Sequence, residues 1–181
     1  MLTDLQTRKF NRLFDFLDAD GNGVIEVADY LRFADLSGDD LTALPGSTAG
    51  QPLRESLSPL WERAIAPLDA SGAGTVERDV FIKAMQQLIT QADLFDDVLV
   101  PIADLFFTLL DLDDDGSVTQ REYTQAMSLF GLPVADIDAF FTHADTDGDG
   151  RLTRDEFQVL VREFYFSDNP TDIGNVLLGP I

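Results

Sequence analysis

One acidic pattern of twelve residues recurs four times along the chain, and no other feature of the sequence restricts the fold as much. The copies are DADGNGVIEVAD (18–29), DASGAGTVERDV (69–80), DLDDDGSVTQRE (111–122) and DTDGDGRLTRDE (145–156). Each opens with Asp, carries Gly at position 6 and places an aliphatic residue at position 8: Ile25, Val76, Val118 and Leu152. The flanks repeat too. Four residues before each copy stands Phe14, Ile65, Phe107 or Phe141, and directly after it Tyr30, Phe81, Tyr123 or Phe157. The unit is therefore a helix, an acidic turn and a second helix, anchored by apolar residues on both sides. Such units bury their apolar faces against one another. The fold class expected is all-α: four helix–loop–helix motifs as two packed pairs in one compact globule, with a short β-bridge between paired loops at the position-8 residues. The pairs divide the chain at 1–90 and 91–181.

The spacing has a chemical meaning. Ca²⁺ is a hard cation that takes six to eight oxygens in a flexible shell. A tight loop wraps one ion when side chains at positions 1, 3 and 5 turn inward, the carbonyl of residue 7 adds a ligand, and a carboxylate at 12 closes the shell with both oxygens. Gly at 6 supplies the left-handed backbone that a Cβ resists. Two copies match in full. Asp111, Asp113, Asp115, the Ser117 carbonyl and Glu122 form one predicted site; Asp145, Asp147, Asp149, the Arg151 carbonyl and Glu156 form the other. In random order this composition would give such a match with a probability of roughly 6 × 10⁻⁴ over the whole chain, yet it occurs twice.

The other two copies depart from the pattern. In the first, Asp18, Asp20, Asn22 and the Val24 carbonyl fit, but Asp29 stands at position 12 in place of Glu. Asp is one methylene shorter and reaches the ion less easily with both oxygens. The smaller shell that results moves preference toward Mg²⁺, so Mg²⁺ is expected to compete most at 18–29. Glu26 at position 9 is placed to compensate. In the second copy, Ser71, Ala73 and Val80 replace ligands, leaving Asp69 and Glu77. That loop is expected to bind no ion and to brace its neighbour, with Val76 opposite Ile25. Three Ca²⁺ per chain are thus expected.

These loops are EF-hands, and the whole chain resembles the calerythrin and sarcoplasmic calcium-binding protein group. The shared features are four hands with a degenerate second loop and an Asp-closed first loop, the long first-pair connection, the LWER segment (Leu60–Arg63) and the tail ending GNVLLGPI. The resemblance implies a compact Ca²⁺ protein acting as an intracellular buffer or transporter. A Ca²⁺-dependent regulator with a specific protein partner is the alternative.

Composition narrows the remaining classes. The formal charge is −21, with 33 acidic and 12 basic residues, which argues against nucleic acid and anionic membrane as partners. Seventeen of the acids lie in the four loops. There is no Cys, and His143 is the single His, so thiolate, zinc and Ser-His-Asp chemistry are not expected, nor is any other enzymatic activity. His143 reads as a surface helix residue and Trp61 as core. No signal-peptide or membrane-spanning run is present, and the reading is a cytoplasmic monomer. Three Met against fourteen Phe suit a fixed aromatic core better than the Met-rich groove of a promiscuous sensor. Ser37–Gln51 reads as a loop, and the apolar tail Ser167–Ile181 is expected to fold back over the C-terminal half. Three bound ions would contribute stability comparable to that of a whole domain, so the ion-free protein is expected to be loosely packed.

Overall fold

The computed structural model describes residues 1–29, 62, 65–69, 71–90, 97, 99–129 and 131–181. In chain order these form α1 (Asp4–Leu17), β1 (Val24–Glu26), a 3₁₀ turn (Ala66–Leu68), β2 (Thr75–Glu77), α2 (Arg78–Leu88), α3 (Val100–Leu110), β3 (Ser117–Thr119), α4 (Gln120–Leu129), α5 (Val134–Ala144), β4 (Arg151–Thr153), α6 (Arg154–Phe166) and a second 3₁₀ turn (Ile173–Val176). The expected all-α class holds, and each strand is a three-residue ladder inside a loop pair. Among the described residues no helix is long and apolar enough to cross a membrane.

Local chemistry sets the helix boundaries. The Thr3 hydroxyl accepts from Gln6 N, and the Gln6 side chain accepts from Thr3 N, closing a capping box at the start of α1. Thr153 and Glu156 do the same for α6. The entering helices α1, α3 and α5 stop alike. The amide of the first loop Asp bonds back to the Phe four residues earlier: Asp18 to Phe14 O at 2.8 Å, Asp111 to Phe107 O at 2.9 Å and Asp145 to Phe141 O at 3.0 Å. The Asp then leaves helical space, with ψ between 75° and 90°. Each helix thereby delivers its Asp into the loop while its Phe stays in the core.

The strands pair antiparallel, β1 with β2 and β3 with β4. Ile25 stands opposite Val76, and Val118 opposite Leu152, as the position-8 pattern predicts. All four are buried. The core runs unbroken from Phe10, Phe14 and Phe81 of the first pair to Phe107, Tyr123, Ile137 and Phe164 of the second. Both pairs repeat one edge-to-face contact between an entering Phe and the Phe after the partner loop. Phe14 meets Phe81 at 5.7 Å and Phe107 meets Phe157 at 6.0 Å.

The tail folds back against α6, as expected, and also reaches α1. The Lys9 ammonium is fully buried and donates to Glu163 O, Ser167 O and Asn175 Oδ1 at 3.0, 2.7 and 3.0 Å. Arg12 Nε donates to Leu178 O at 2.8 Å. Gly174 lies so close to α6 that a Cβ there would stand 2.4 Å from Leu160 O and 2.5 Å from Glu163 Cβ.

Some expectations meet refinement. The segment before the second loop, expected to be helical, ends in a 3₁₀ turn over Ala66–Leu68, where Pro67 supplies no backbone donor for an α-helical bond. Residues 27–29 are helical, as expected for the helix leaving the first loop. Tyr30, the Ser37–Gln51 loop and the LWER segment with Trp61, except Glu62, lie outside the described residues.

Candidate metal centres

Three loops gather carboxylates, and each does so from positions 1, 3 and 12. Asp18, Asp20 and Asp29 form one group, Asp111, Asp113 and Glu122 the second, and Asp145, Asp147 and Glu156 the third. In each group one oxygen per residue lies within 4.8 Å of the others. Oxygens 2.3–2.6 Å from a common ion are at most about 5 Å apart, so these groups fit a Ca²⁺ shell. Every donor is a hard oxygen.

The backbone holds these carboxylates in place. At position 1, Asp18 accepts from the amides of Asn22 (3.0 Å) and Gly23 (2.9 Å), Asp111 from Asp115 (3.0 Å) and Gly116 (2.9 Å), and Asp145 from Gly148 and Gly150 (both 2.8 Å). The position-6 glycines make this possible, with φ of 91° at Gly23, 87° at Gly116 and 85° at Gly150. At position 12, each carboxylate bridges the two ends of its loop. Glu122 accepts from Leu112 N at 3.0 Å and Thr119 N at 2.8 Å; Glu156 accepts from Thr146 N at 3.1 Å and Thr153 N at 2.9 Å. Asp29 makes the same bridge despite its shorter side chain, from Ala19 N at 3.0 Å and Glu26 N at 2.9 Å.

Position 5 behaves differently. Asp115 and Asp149 lie outside the three groups, and Asn22, Asp115 and Asp149 each accept from the amide of position 7: Val24 (3.0 Å), Ser117 (3.0 Å) and Arg151 (2.9 Å). Val24, Ser117 and Arg151 are the first residues of β1, β3 and β4. Their predicted carbonyl ligands thus belong to the point where loop becomes ladder. Asp115 also takes an ion pair across the ladder from Arg151 at 2.8 Å.

Electrostatics follow burial. Asp29 and Asp111 are buried, and desolvation holds both carboxyls above the usual range; neighbouring Asp20 adds to this at Asp29, and Glu122 and Asp115 add to it at Asp111. Asp115 is pulled below the usual range by its hydrogen bond from Arg151, then by those from Ser117. A divalent cation would relieve the crowding at the raised sites.

The second loop is closed from within. Asp69 Oδ1 accepts from Ser71 N, Ser71 Oγ and Gly72 N at 3.0, 2.6 and 2.9 Å, and its Oδ2 accepts from Gly74 N at 2.6 Å. The Ser71 hydroxyl bond is the largest cause of the low Asp69 pKa. The position-1 carboxylate is held by loop donors, with Ser71 and Val80 in place of carboxylates at positions 3 and 12. Among the described residues no carboxylate triad forms in this loop. His143 is exposed, its Nδ1 2.7 Å from Ala139 O of its own helix.

Sequence reasoning missed two arginines at position 10. Arg78 reaches across to α1 and Arg154 to α3, each lying over the Phe that precedes the partner loop and pairing with an Asp there. The signal was present, since Arg fills position 10 in the second and fourth loops alone.

Comparisons with known proteins agree with this geometry. A family model described as an EF-hand domain pair matches residues 99–162, and one described as an EF hand matches residues 10–34. The chain is 26% identical over 169 residues to calerythrin of Saccharopolyspora erythraea, covering 92% of this chain and 96% of that one. It is similar to the solved structure of a Streptomyces coelicolor calcium-binding protein described as acting in prokaryotic calcium-mediated regulation. The TM-score is 0.72 and the identity 26%, over 88% of this chain and 97% of that one. A sarcoplasmic calcium-binding protein from amphioxus superposes over 100% of both chains, with a TM-score of 0.76 and 22% identity. The repeated loops, their oxygen triads and the matches to EF-hand models agree, and along most of its length the chain is similar to calcium-binding proteins of the calerythrin and sarcoplasmic type.

Proposed function

We propose that the chain binds three Ca²⁺ ions, at 18–29, 111–122 and 145–156, and serves as an intracellular Ca²⁺ buffer or transporter. The observation that carries this reading is the recurrence of one 1–3–12 oxygen triad in three loops and its absence from the second, where Asp69 accepts from its own loop's donors. The side chains at positions 1, 3, 5 and 12 and the carbonyl at 7 are the proposed ligands. Asp115 and Asp149 turn from the position-7 amide toward the ion as it enters. Asp29 closes its loop with a shorter arm, so Mg²⁺ competes most there.

The buffer role rests on the core. Met127 is buried within it and Met85 packs against it. The large exposed hydrophobics among the described residues, Val27, Val80, Val134, Val159 and Met1, are scattered along the chain. A shared aromatic core suits a protein that takes up ions without opening a groove. The −21 charge argues for a monomer free of nucleic acid and anionic lipid. The regulator reading has one specific support, the 26% identity to the Streptomyces protein connected with calcium-mediated regulation.

Titration calorimetry with Ca²⁺ in millimolar Mg²⁺ tests the proposal. Three equivalents are expected, the weakest in Ca²⁺ over Mg²⁺ preference at the first loop; fewer than three refutes the site count. Hydrophobic dye binding with and without Ca²⁺ tests the role. New dye binding and capture of a reproducible partner in Ca²⁺ would replace the buffer with the regulator.

A further inference from the structure

We propose that Arg151 sets the affinity of the third loop and makes the fourth loop fill before it. This rests on the reading of 111–122 and 145–156 as Ca²⁺ sites. Arg151 stands at position 7 of the fourth loop, where its main chain belongs to the proposed shell of that loop. Its side chain serves the other loop. Nη1 crosses the β3–β4 ladder to Asp115 Oδ2 at 2.8 Å and also donates to Ser117 Oγ. Asp115 is the position-5 residue of the third loop, and its Oδ1 already accepts from Ser117 N at 3.0 Å and Ser117 Oγ at 2.7 Å. Both oxygens of this ligand are thus engaged. An ion entering the third loop must draw Asp115 away from a guanidinium, and it does so beside a fixed positive charge.

The fourth loop carries less of this burden, because Arg151 acts on Asp149 only at a distance. Asp149, its position-5 residue, accepts from Arg151 N at 2.9 Å, and among the described residues it forms no ion pair. The equivalents of Arg151 in the other two candidate loops are Val24 and Ser117, both uncharged. The cross-loop cation is therefore particular to this pair. A unit charge one ligand away from a divalent ion in a largely aqueous dielectric weakens binding by about tenfold. The pair then responds over a wider range of Ca²⁺ than two equal sites would.

The amides of Gly116 and Gly150 report each loop separately, because each donates to the position-1 Asp of its own loop. Their NMR shifts should be followed during Ca²⁺ titration of the full chain. In the parent protein Gly150 should respond before Gly116. In Arg151→Ala the Gly116 midpoint should move to about tenfold lower Ca²⁺, with a much smaller change at Gly150. Arg151→Lys, which keeps the charge, should keep the order. Raising the salt toward 1 M should narrow the gap in the parent protein, a measurement that requires no variant. Coincident midpoints in the parent protein, a Gly116 midpoint unmoved or raised by Arg151→Ala, or a Lys variant indistinguishable from Ala would each overturn the role of Arg151. Silence of both amides would instead defeat the site assignment itself.

Discussion

The Arg78 guanidinium lies 4.1 Å from the centre of the Phe14 ring and donates to Asp15 Oδ1 at 2.7 Å. The second pair repeats the arrangement, with Arg154 4.5 Å from the Phe107 ring and 3.1 Å from Asp104. Each arginine starts the helix leaving an even-numbered loop and clasps the helix entering its partner. The ion pairs are half-exposed and contribute less than about 1 kcal/mol, while the flat cation on a Phe adds about 0.5–1 kcal/mol and covers apolar surface. Arg78→Ala and Arg154→Ala should each cost about 1–2 kcal/mol in chemical denaturation, and Lys at either position should recover less than half.

Lys9 is the buried cation that ties the tail to the first helix. Lys9→Met leaves Ser167 O and Asn175 Oδ1 without this donor and should destabilise the fold by about 2–4 kcal/mol. Urea denaturation of both proteins provides the measurement.

The same residue predicts a pH dependence. Burial lowers the Lys9 pKa from 10.5 to about 8, with Asp172, Asp168 and Glu163 only partly offsetting it. Between those values the unfolded chain holds the proton and the folded chain releases it. The contribution of this group to stability therefore rises with pH from about 8 upward. Above about 10 the buried phenols of Tyr123 and Tyr165, whose pKa values are raised, act in the opposite sense. Stability measured from pH 8 to 10 should rise in the parent protein relative to Lys9→Met; parallel curves would contradict the assignment.

Asp29 closes its loop with the bonds that Glu122 and Glu156 make in theirs, but on a shorter arm. Asp29→Glu should raise Ca²⁺ preference over Mg²⁺ at the first loop and leave the other two unchanged. Competitive calorimetry reads this directly, and unaltered affinities for both ions would count against it.

Ion binding should dominate stability. At a free concentration of about 100 Kd each site contributes about 2.7 kcal/mol, so three give about 8, within the range of a whole domain's stability. Melting curves in Ca²⁺ and in chelator should differ by tens of degrees, and superimposable curves would refute the linkage.

The tail contact at Gly174 tolerates no side chain. A Cβ would meet the α6 backbone at 2.4 Å, so Gly174→Ala should cost about 1–3 kcal/mol through forced separation of tail and helix. Hydrogen exchange at the Asn175 amide should show local opening in the variant.

The loops were legible in the sequence because ion chemistry fixes their register: a ligand displaced by one residue no longer faces the ion. The ladder pairing of Ile25 with Val76 and of Val118 with Leu152 followed from the same count. The clasps of Arg78 and Arg154 did not, because a surface arginine carries no local mark of the ring it covers. Nothing local marked the roles of Lys9 and Arg12, since their partners lie more than 150 residues away. The turn of Asp115 and Asp149 toward position-7 amides was equally hidden, because spacing names a ligand without giving its ion-free orientation.

The self-closed second loop has a consequence for how the two halves respond. Asp69 and the β1–β2 pairing hold that loop in its paired form without an ion, so its neighbour at 18–29 has no second ion to communicate with. Uptake there should follow a simple hyperbola with a Hill coefficient of one. Any departure from that law in the whole protein must originate in the half that carries Asp111 and Asp145.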